Sequence, residues 1–403
     1  MSAKVGVLSH SVPPDLSGHT VVLERLFEPW KADEYMYVLG SSLAPSEGPH
    51  ALTGARGPSV ERMELESRLF KFRRFVPAAL TPGQARDYIR AGVTLAARAR
   101  DLARVIRQNS IRILVACTGD VMNLPAGALA AKMSRIPFCA YYLEWYRGQS
   151  RSGWQRALVR AMEPWVLRSA SLVLVHSGAL RDRLRDLYGV FATVVPNPAS
   201  SQSLASSLGD NARLPGGLFT IAYTGAVYDA YLDPLESLAV AINGLSPSPI
   251  RLAIYSGQHH AWLDRVKSMY PVVVEEPVPP ARIHEVLRAA NLLYLPMTFL
   301  PEWRETVEVT LPSKVGDYLA SGRPILAHAP AESCLSNYFI SEEGGLVVNS
   351  LEERAIEDAL TSIIASPHLD SRFAVRGPYL ARRDFDPARC QDIFRRALGS
   401  LLP

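Results

Sequence analysis

One stretch of the chain combines a helix start, a glycine at the helix end and a lysine in a pattern suited to binding phosphate. Pro312 suits the first turn of a helix, and Gly322 suits its end. The main-chain amides of that first turn would be unpaired donors at the positive end of the helix, which favours an anion. These amides belong to Ser313, Lys314 and Val315. The Lys314 side chain adds a full positive charge at the same place, so the pattern predicts a phosphate site.

The acidic residue one turn further along, Asp317, has the chemistry to bind a sugar ring. Its carboxylate can accept two hydrogen bonds from the hydroxyls of a ribose. Together with the phosphate site, it predicts that a nucleotide binds at the start of a helix spanning Ser313–Ala320. The alternative is an ordinary capped helix that leaves Lys314 and Asp317 in solvent.

Two glycines and a histidine in loops are further candidates. Gly225 follows the apolar segment Phe219–Tyr223, and a glycine there lets the main chain approach a phosphate closely. The alternative is a simple turn glycine. Gly18 and His19 lie in the loop after the first predicted strand, where His19 can donate a hydrogen bond to a bound substrate. The alternative for His19 is a surface histidine at a helix start.

Glu144 follows a predicted strand, Phe138–Leu143, at its carboxyl end. Its neighbours Trp145, Tyr146 and Arg147 are aromatic and basic. A partly buried carboxylate among aromatic rings can have a raised pKa and act as a general base. Glu144 is therefore a candidate to orient or deprotonate a substrate hydroxyl, and the alternative is an ion pair with Arg147.

The elements that must position these residues are apolar strands that alternate with helices. Strands are predicted at Lys4–Ser9, Tyr35–Leu39, Ile111–Cys117, Phe138–Leu143, Leu172–His176, Thr193–Pro196, Phe219–Tyr223, Arg251–Tyr255, Val272–Glu275, Asn291–Pro296, Pro324–His328 and Gly345–Val348. Helices are predicted at Thr20–Trp30, Gln84–Gln108, Asn123–Ser134, Gln155–Ser169 with an interruption at Pro164, Gly178–Tyr188, Leu235–Asn243, Trp262–Ser268, Pro280–Ala289, Ser313–Ala320, Glu352–Ala365 and Pro387–Leu402. Residues 43–60 are rich in Pro, Gly and Ser and are expected to form a mobile loop.

This alternation predicts an α/β fold with two doubly wound, Rossmann-like domains that face a central cleft. The first domain is expected at residues 1–198 and the second at 218–382, with a linker of low hydrophobicity at 199–217 and a C-terminal helical segment at 383–403. Ligands in such sheets bind at the carboxyl ends of the strands. A nicotinamide-dependent dehydrogenase is disfavoured, because the first strand is not followed by the glycine-rich turn that binds pyrophosphate.

Composition excludes some classes of protein and leaves others open. The 403 residues carry a net charge of +4, which is too small to imply a nucleic-acid partner. The four cysteines lack the spacing of a metal or redox motif, which fits a reducing, cytoplasmic compartment. No stretch approaches the length of a membrane span. Two segments with aromatic and basic residues, Leu69–Val76 and Trp154–Arg160, suggest peripheral contact with a membrane, and the alternative is an ordinary basic surface.

The segment Thr310–Ile325 resembles the donor-binding helix of the retaining glycosyltransferases of the GT-B fold, specifically glycosyltransferase family 4. In that family a glutamate binds the ribose and is followed by small residues and a Gly-x-Pro. Asp317 stands in the place of this glutamate, with Ala320, Gly322 and Pro324 behind it. Other segments are similar to the end of the family's first domain, the opening strand of its second domain and its last helix: Leu172–Ser177, Leu180–Leu184, Tyr188–Gly189, Val195–Pro198, Ile221–Gly225 and the tail around Phe385.

The chain departs from the family at three positions. The family has a second glutamate earlier in the helix region, and its place holds Val309, with Glu308 next to it and Glu305 near it. The family also places an arginine and a lysine after the glycine that matches Gly225, and here Ala226 and Tyr231 stand instead. Other cations must then neutralise a diphosphate, and the candidates are Lys314, Arg304 and Arg323, in that order.

The resemblance implies that the first domain binds an acceptor, the second binds a nucleotide sugar, and the C-terminal helix packs back on the first domain. It predicts sugar transfer from a nucleotide diphosphate donor to an acceptor hydroxyl with retention, in the synthesis of a cell-surface polysaccharide or glycolipid. Neither a cofactor nor a metal is expected, and the acceptor is a glycan, a lipid-linked molecule or a small molecule. The predicted catalytic residues are Glu144, His19 and Glu308, and the predicted donor-binding residues are Gly18, Gly225, Ser313, Lys314, Val315, Asp317, Arg304 and Arg323. The alternatives are a degenerate, non-catalytic partner subunit and a nucleotide-sugar epimerase of the same fold.

Overall fold

A computed structural model describes residues 4–13, 15, 17–39, 58–62, 83–149, 153–206, 217–245, 250–258 and 260–402. The chain divides into two compact units. The first comprises Met1–Asp15, Leu26–Val195 and Gln391–Pro403, and the second comprises Leu16–Arg25 and Pro196–Cys390. The predicted membrane segment Leu69–Val76 and most of the predicted loop at 43–60 lie outside the described residues.

The first unit contains a parallel sheet with the strand order β3-β2-β1-β4-β5-β6-β7. Its strands are β1 Lys4–Ser9, β2 Tyr35–Leu39, β3 Ser59–Arg62, β4 Ile111–Cys117, β5 Phe138–Tyr142, β6 Leu172–Val175 and β7 Thr193–Val194. The chain runs outward from β1 to β3 and then returns to place β4 beside β1. The strand order therefore reverses between β1 and β4, and the loops that follow these two strands open a crevice there.

The second unit contains a parallel sheet with the order β10-β9-β8-β11-β12-β13. Its strands are β8 Phe219–Thr224, β9 Ile250–Tyr255, β10 Val272–Glu275, β11 Leu292–Pro296, β12 Ile325–His328 and β13 Leu346–Val348. Here the strand order reverses between β8 and β11. The segments that follow these two strands, with their loops and helices, carry most of the residues predicted to bind a donor.

Helices connect and cover the strands, as the alternation in the sequence predicts. Their bounds are α1 Gly18–Phe27, α2 Gly83–Gln108, α3 Asn123–Ser134, α4 Gly153–Ser169, α5 Gly178–Tyr188, α6 Ser201–Ser206, α7 Leu232–Gly244, α8 Ala261–Met269, α9 Ile283–Ala289, α10 Arg304–Val309, α11 Val315–Ala320, α12 Cys334–Glu342, α13 Glu353–Ala365, α14 Pro367–Phe385 and α15 Pro387–Gly399. Within the described residues, no helix combines the length and the apolar character needed to cross a bilayer.

Alternate residues of the central strands pack into cores on opposite faces of the second sheet. Ile221 and Tyr223 of β8 belong to one core, while Ala222 between them belongs to the other. The same alternation holds for Tyr294 and Leu295 of β11. Strands buried on both faces need near-continuous apolar sequence, which is why β8 and β11 are recognisable in the sequence.

Several predicted elements differ from the observed ones. Ser59–Arg62 forms an edge strand although residues 43–60 suggested a loop, since its polar sequence lacks an apolar pattern. Helix α6 lies inside the predicted linker. Helix α4 continues through Pro164, although a proline in a helix interior costs about 3 kcal/mol. The burial of Val159 and Val166 on that helix offsets this cost.

Candidate functional site

The loop after β8 and the segment before α11 are tied together at the carboxyl end of the second sheet. The main-chain N–H of Thr224, the last residue of β8, donates to the Tyr318 hydroxyl at 2.9 Å. Tyr318 is fully buried on α11, and burial raises its pKa to about 12. The phenol therefore stays neutral at physiological pH and fixes the end of β8 against the helix.

The Lys314 side chain fills the space above Gly225. A β-carbon at position 225 would lie 2.8 Å from the Lys314 Nζ, and Gly225 has φ +128°, which favours glycine. The Gly225 N–H already donates to the Tyr255 carbonyl. The absent side chain makes room for an ammonium group, and the approach of a phosphate to this main chain stays a prediction.

Two aromatic rings face the Lys314 ammonium. Its Nζ lies 4.2 Å from the centre of the Tyr223 ring and 5.6 Å from that of Tyr231, both within the range of cation–π attraction. Burial lowers the pKa of Lys314 to about 7. Among the described residues, no carboxylate lies within ion-pair distance of this Nζ. A poorly solvated cation of this kind is suited to binding an anion.

The helix after Lys314 begins later than predicted. Helix α11 starts at Val315, and Ser313 and Lys314 lie in the preceding turn. The Val315 N–H donates to the Pro312 carbonyl at 3.1 Å. The prediction of three unpaired amides is therefore wrong for Val315, because Pro312 closes a turn before the helix instead of standing in its first turn.

Asp317 is held by partners from two other segments of the second unit. Its Oδ2 lies 2.8 Å from Nη2 of Arg25, and its Oδ1 accepts a 2.7 Å hydrogen bond from the Ser200 N–H. Arg25 also donates through Nη1 to the Pro198 carbonyl. Each carboxylate oxygen has two acceptor positions, so Asp317 keeps acceptor capacity beyond these bonds. Its contact with a ribose stays a prediction.

The start of α1 lies beside the same segment. A β-carbon at Gly18 would lie 3.3 Å from the Ser313 hydroxyl oxygen. The Ser17 hydroxyl accepts a hydrogen bond from the Thr20 N–H, which caps this helix start. His19 is half-buried in the first turn. The structure therefore places Gly18 beside Ser313, while donor binding by Gly18 and the role of His19 stay predictions.

Arg304 and Glu308 pair with each other on α10. The Arg304 Nε lies 2.9 Å from Glu308 and 3.8 Å from Glu332. Val309, which stands where the family has its first glutamate, is buried and apolar. Arg304 also lines a pocket of about 310 Å³ between the loops that follow β11 and β12. The single contact leaves donors on Arg304 and acceptor positions on Glu308, so the donor-binding role of Arg304 and the catalytic role of Glu308 stay predictions.

Arg323 lies at the opposite edge of the second sheet. It precedes β12, so it stands at the amino end of a parallel strand, whereas Gly225 follows the carboxyl end of β8. Its Nε donates to the Arg288 carbonyl at 2.9 Å, and the residue is buried. The prediction that Arg323 neutralises a donor phosphate is therefore contradicted, and its guanidinium instead satisfies the end of α9.

In the first unit, Glu144 lies at the carboxyl end of β5. Its N–H donates to the Thr118 hydroxyl, and its Oε1 accepts a 2.8 Å hydrogen bond from Gln149. A neighbouring loop residue, Gly119, has φ +112°, and a β-carbon there would overlap the His10 imidazole. Three adjacent strands, β1, β4 and β5, are thus followed by His10, Gly119 and Glu144. These residues lie near the place where the strand order of the sheet reverses.

Arg147 does not form the ion pair with Glu144 that was the alternative interpretation. Its Nε donates to Glu163 at 2.7 Å, and Glu163 also accepts hydrogen bonds from Tyr142 and Tyr188. Burial raises the pKa of Glu163, and these donors oppose that shift. The network joins the loop after β5 to α4 and α5, which positions Glu144.

Within the described residues, no group of three or more His, Cys, Asp or Glu side chains is arranged to hold a metal ion. The sequence contains an Asp-x-Asp at Asp384 and Asp386. Asp384 pairs with Arg383 and accepts a hydrogen bond from Tyr338, while Asp386 accepts one from the Arg389 N–H. These carboxylates have structural partners in the second unit.

Comparison with known proteins finds similarity to glycosyltransferases in both sequence and fold. Residues 17–198 match the family model of the glycosyl transferase 4-like domain. No curated protein sequence matches the chain at a comparable level. Sucrose-phosphate synthase from Thermosynechococcus elongatus is 14% identical, with a TM-score of 0.69 and coverage of 99% of this chain and 100% of the synthase.

Two structures solved with nucleotides are also similar. Anabaena HepE in complex with UDP and glucose is 15% identical, with a TM-score of 0.66 and coverage of 99% and 100%. The trehalose-6-phosphate protein of E. coli bound with UDP-2-fluoro glucose is 11% identical, with a TM-score of 0.67 and full coverage of both chains. At these identities the likeness establishes the fold, which is that of the GT-B glycosyltransferases.

The matched domain and the fold together support a transferase enzyme with the fold of the GT-B glycosyltransferases. Its residues 17–198 are a glycosyl transferase 4-like domain. The predicted fold class and the predicted enzyme class are confirmed.

Sequence reasoning missed the residues that hold the candidate site together. Arg25 stands 292 positions before its partner Asp317, and no local pattern indicates the pair. In the sequence, Tyr231 is marked only as a replacement for the family's lysine. Its spacing from Tyr223 and Tyr228 in one short segment was a usable signal of an aromatic cluster.

Proposed function

We propose that this glycosyltransferase moves a sugar from a nucleotide diphosphate donor to an acceptor hydroxyl, with retention at the anomeric carbon. The observation that carries the proposal is the Lys314 ammonium above Gly225, with no carboxylate within ion-pair distance among the described residues. A bound anion would stabilise such a cation. The diphosphate of a sugar donor has the charge and size for this position.

The chemistry follows from where charge develops. As the bond between the anomeric carbon and the diphosphate oxygen breaks, negative charge builds on the leaving group, and a fixed cation at Lys314 stabilises it without reorganisation. The acceptor oxygen forms the new bond to the anomeric carbon. The family resemblance implies attack from the same face, with a donor phosphate oxygen taking the acceptor's proton. That route requires no enzymic nucleophile.

Asp317 and Glu144 complete the proposed roles. Asp317 would bind the ribose through the acceptor positions that Arg25 and Ser200 leave unused. Glu144 would orient the acceptor hydroxyl in the first unit, where Gln149 and Thr118 fix its position. UDP-sugars are the first donors to test, because similar folds were solved with UDP and UDP-2-fluoro glucose.

The proposed role is the synthesis of a cell-surface polysaccharide or glycolipid at the cytoplasmic face of a membrane. Tyr88, Ile89 and Val93 are exposed on α2, and the Tyr88 ring packs edge-on against Trp154 of α4. An exposed apolar face of this kind supports a peripheral membrane contact. Sedimentation with anionic vesicles tests it, since binding should fall as salt rises.

Product analysis tests the activity itself. The protein is incubated with UDP-glucose and other nucleotide sugars, with candidate acceptors, and the products are followed by NMR. Release of a nucleoside diphosphate, with an α-linked product from an α-linked donor, supports retaining transfer. An epimerised nucleotide sugar would identify an epimerase instead. Nucleotide binding without any turnover would favour a non-catalytic subunit, for which the buried Val309 at the glutamate position is the main argument.

A further inference from the structure

We propose that Tyr223 and Tyr231 are positioning residues that hold the Lys314 ammonium above Gly225 as a preset cation for the donor diphosphate. This inference rests on the proposed function, because it assumes that a diphosphate binds beside Lys314. It adds the reason why the cation stays in place when no anion is bound. The rings lie 4.2 and 5.6 Å from the Nζ, measured to their centres.

The two rings are themselves fixed. Tyr223 is fully buried in β8, and its hydroxyl donates to the Ala226 carbonyl at 2.6 Å. The Tyr231 ring packs at 63° against Tyr228 with centres 4.7 Å apart, and the Tyr231 N–H donates to the Tyr228 carbonyl. Strand β8 and the turn after it therefore fix the two aromatic ring faces that the ammonium contacts.

Aromatic rings stabilise a cation in a way that a carboxylate does not. A carboxylate partner would cancel the charge of Lys314 and compete with a diphosphate for it, whereas a ring face attracts the ammonium and leaves its net charge intact. The phenols near this site are those of Tyr223, Tyr228, Tyr231 and Tyr318, and burial raises the pKa of Tyr223 and Tyr318. Tyr223 and Tyr318 therefore remain neutral at physiological pH.

The nearest acidic residue in the same turn serves another partner. Asp229 is exposed and lies 3.6 Å from the His260 Nε2. Burial lowers the pKa of Lys314 to about 7, and the rings oppose this shift because they favour the charged form. The rings thus favour the charged form of Lys314, and an incoming anion would favour it further.

Charge relocation tests the inference, because Tyr231 and Lys314 reach the same space. The variants are Tyr231→Phe, Tyr231→Leu, Lys314→Met and the double variant Lys314→Met/Tyr231→Lys. Calorimetry first measures the affinity of the wild type for UDP, dTDP, GDP and ADP. The nucleotide that binds most tightly is then used for every variant. We expect Tyr231→Phe to bind within about twofold of the wild type and Tyr231→Leu about three- to thirtyfold more weakly.

Lys314→Met should weaken binding about ten- to a hundredfold, and the double variant should recover at least tenfold of that loss. A merely structural role for Tyr231 would not give this recovery. Wild-type affinity in Tyr231→Leu, or no recovery in the double variant, overturns the inference while the donor site stands. Wild-type affinity in Lys314→Met would instead overturn the donor site. If Tyr231→Leu does not fold, the double variant decides.

Discussion

The Arg25 guanidinium and the Asp317 carboxylate form a largely buried ion pair, with Nη2 and Oδ2 2.8 Å apart and side chains that are 13% and 9% exposed. The pair joins the first helix of the chain to the helix that carries the donor motif, α1 to α11. Asp317 therefore has a structural role in addition to any contact with a nucleotide.

Removing the Asp317 carboxylate should destabilise the fold. Asp317→Ala removes the acceptor of the Arg25 guanidinium and of the Ser200 N–H, and the loss of a hydrogen bond to a charged group typically costs about 1.5–3 kcal/mol. We expect the thermal unfolding midpoint to fall by several degrees, as measured by circular dichroism. The matched control is Asp264→Ala, which breaks the exposed pair with Lys267 and should change the midpoint little. Equal midpoints for the two variants would show that the Arg25–Asp317 pair carries no stability.

A side chain at Gly225 should displace the Lys314 ammonium. Gly225→Ala puts a β-carbon 2.8 Å from its Nζ and strains a backbone with φ +128°, which costs about 1–3 kcal/mol. Nucleotide affinity measured by calorimetry should fall about tenfold or more. Gly189→Ala is the control, since its φ is +66° and nothing lies within 4 Å of its β-carbon. That variant should lose some stability and no affinity, and the account fails if the two variants bind nucleotide equally well.

Nucleotide binding should take up a proton above pH 7. The pKa of Lys314 is lowered to about 7 in the free protein, so the neutral amine dominates at pH 8. A bound diphosphate favours the charged form and raises this pKa, so affinity should fall as pH rises above 7. The nucleotide itself is fully ionised at pH 8, because its last phosphate pKa is about 6.

Calorimetry at pH 8 in HEPES and in Tris measures this uptake from the difference between the two binding enthalpies. We expect uptake to approach one proton in the wild type and to disappear in Lys314→Met. Enthalpies that do not depend on the buffer in the wild type would mean that Lys314 does not change its protonation on binding.

Glu144 should affect transfer without affecting donor binding. Glu144→Gln keeps the size of the side chain but removes the charge that would orient an acceptor, and we expect turnover of the best nucleotide sugar to fall about a hundredfold or more. Calorimetry should find nucleotide affinity within twofold of the wild type. A parallel loss of nucleotide affinity would place Glu144 in donor binding, and an unchanged turnover would remove it from the mechanism.

The sequence was sufficient for the fold because the central strands are buried on both faces. Continuous apolar segments such as Phe219–Thr224 mark β8 and its neighbours, and glycine and proline mark the loops between them. Short polar elements carry no such pattern, which is why β3 was missed. Helix α10 was missed because it has six residues and a mixed composition.

The candidate site was predictable only in part. Lys314 and Asp317 follow from a local motif, whereas the proximity of Gly18 to Ser313 is visible only in the structure. The direction in which Lys314 points, and its partners Tyr223 and Tyr231, depend on a turn 83 to 91 positions earlier in the chain. Long-range packing of this kind leaves no trace in residue spacing. The prediction for Arg323 was wrong for the same reason. The sequence shows its charge but does not show at which end of the sheet the residue lies.

Thermal shift with UDP, dTDP, GDP and ADP tests the donor site most directly. The wild type is compared with Lys314→Met and with Lys267→Met, whose lysine is half exposed and pairs with Asp264 on the surface. A ligand at 100 times its dissociation constant adds about 2.7 kcal/mol of stability, which raises the unfolding midpoint by several degrees. The account predicts such a shift with at least one nucleotide for the wild type and Lys267→Met, and its loss in Lys314→Met. An undiminished shift in a folded Lys314→Met variant, or no shift with any nucleotide in the wild type, would contradict it.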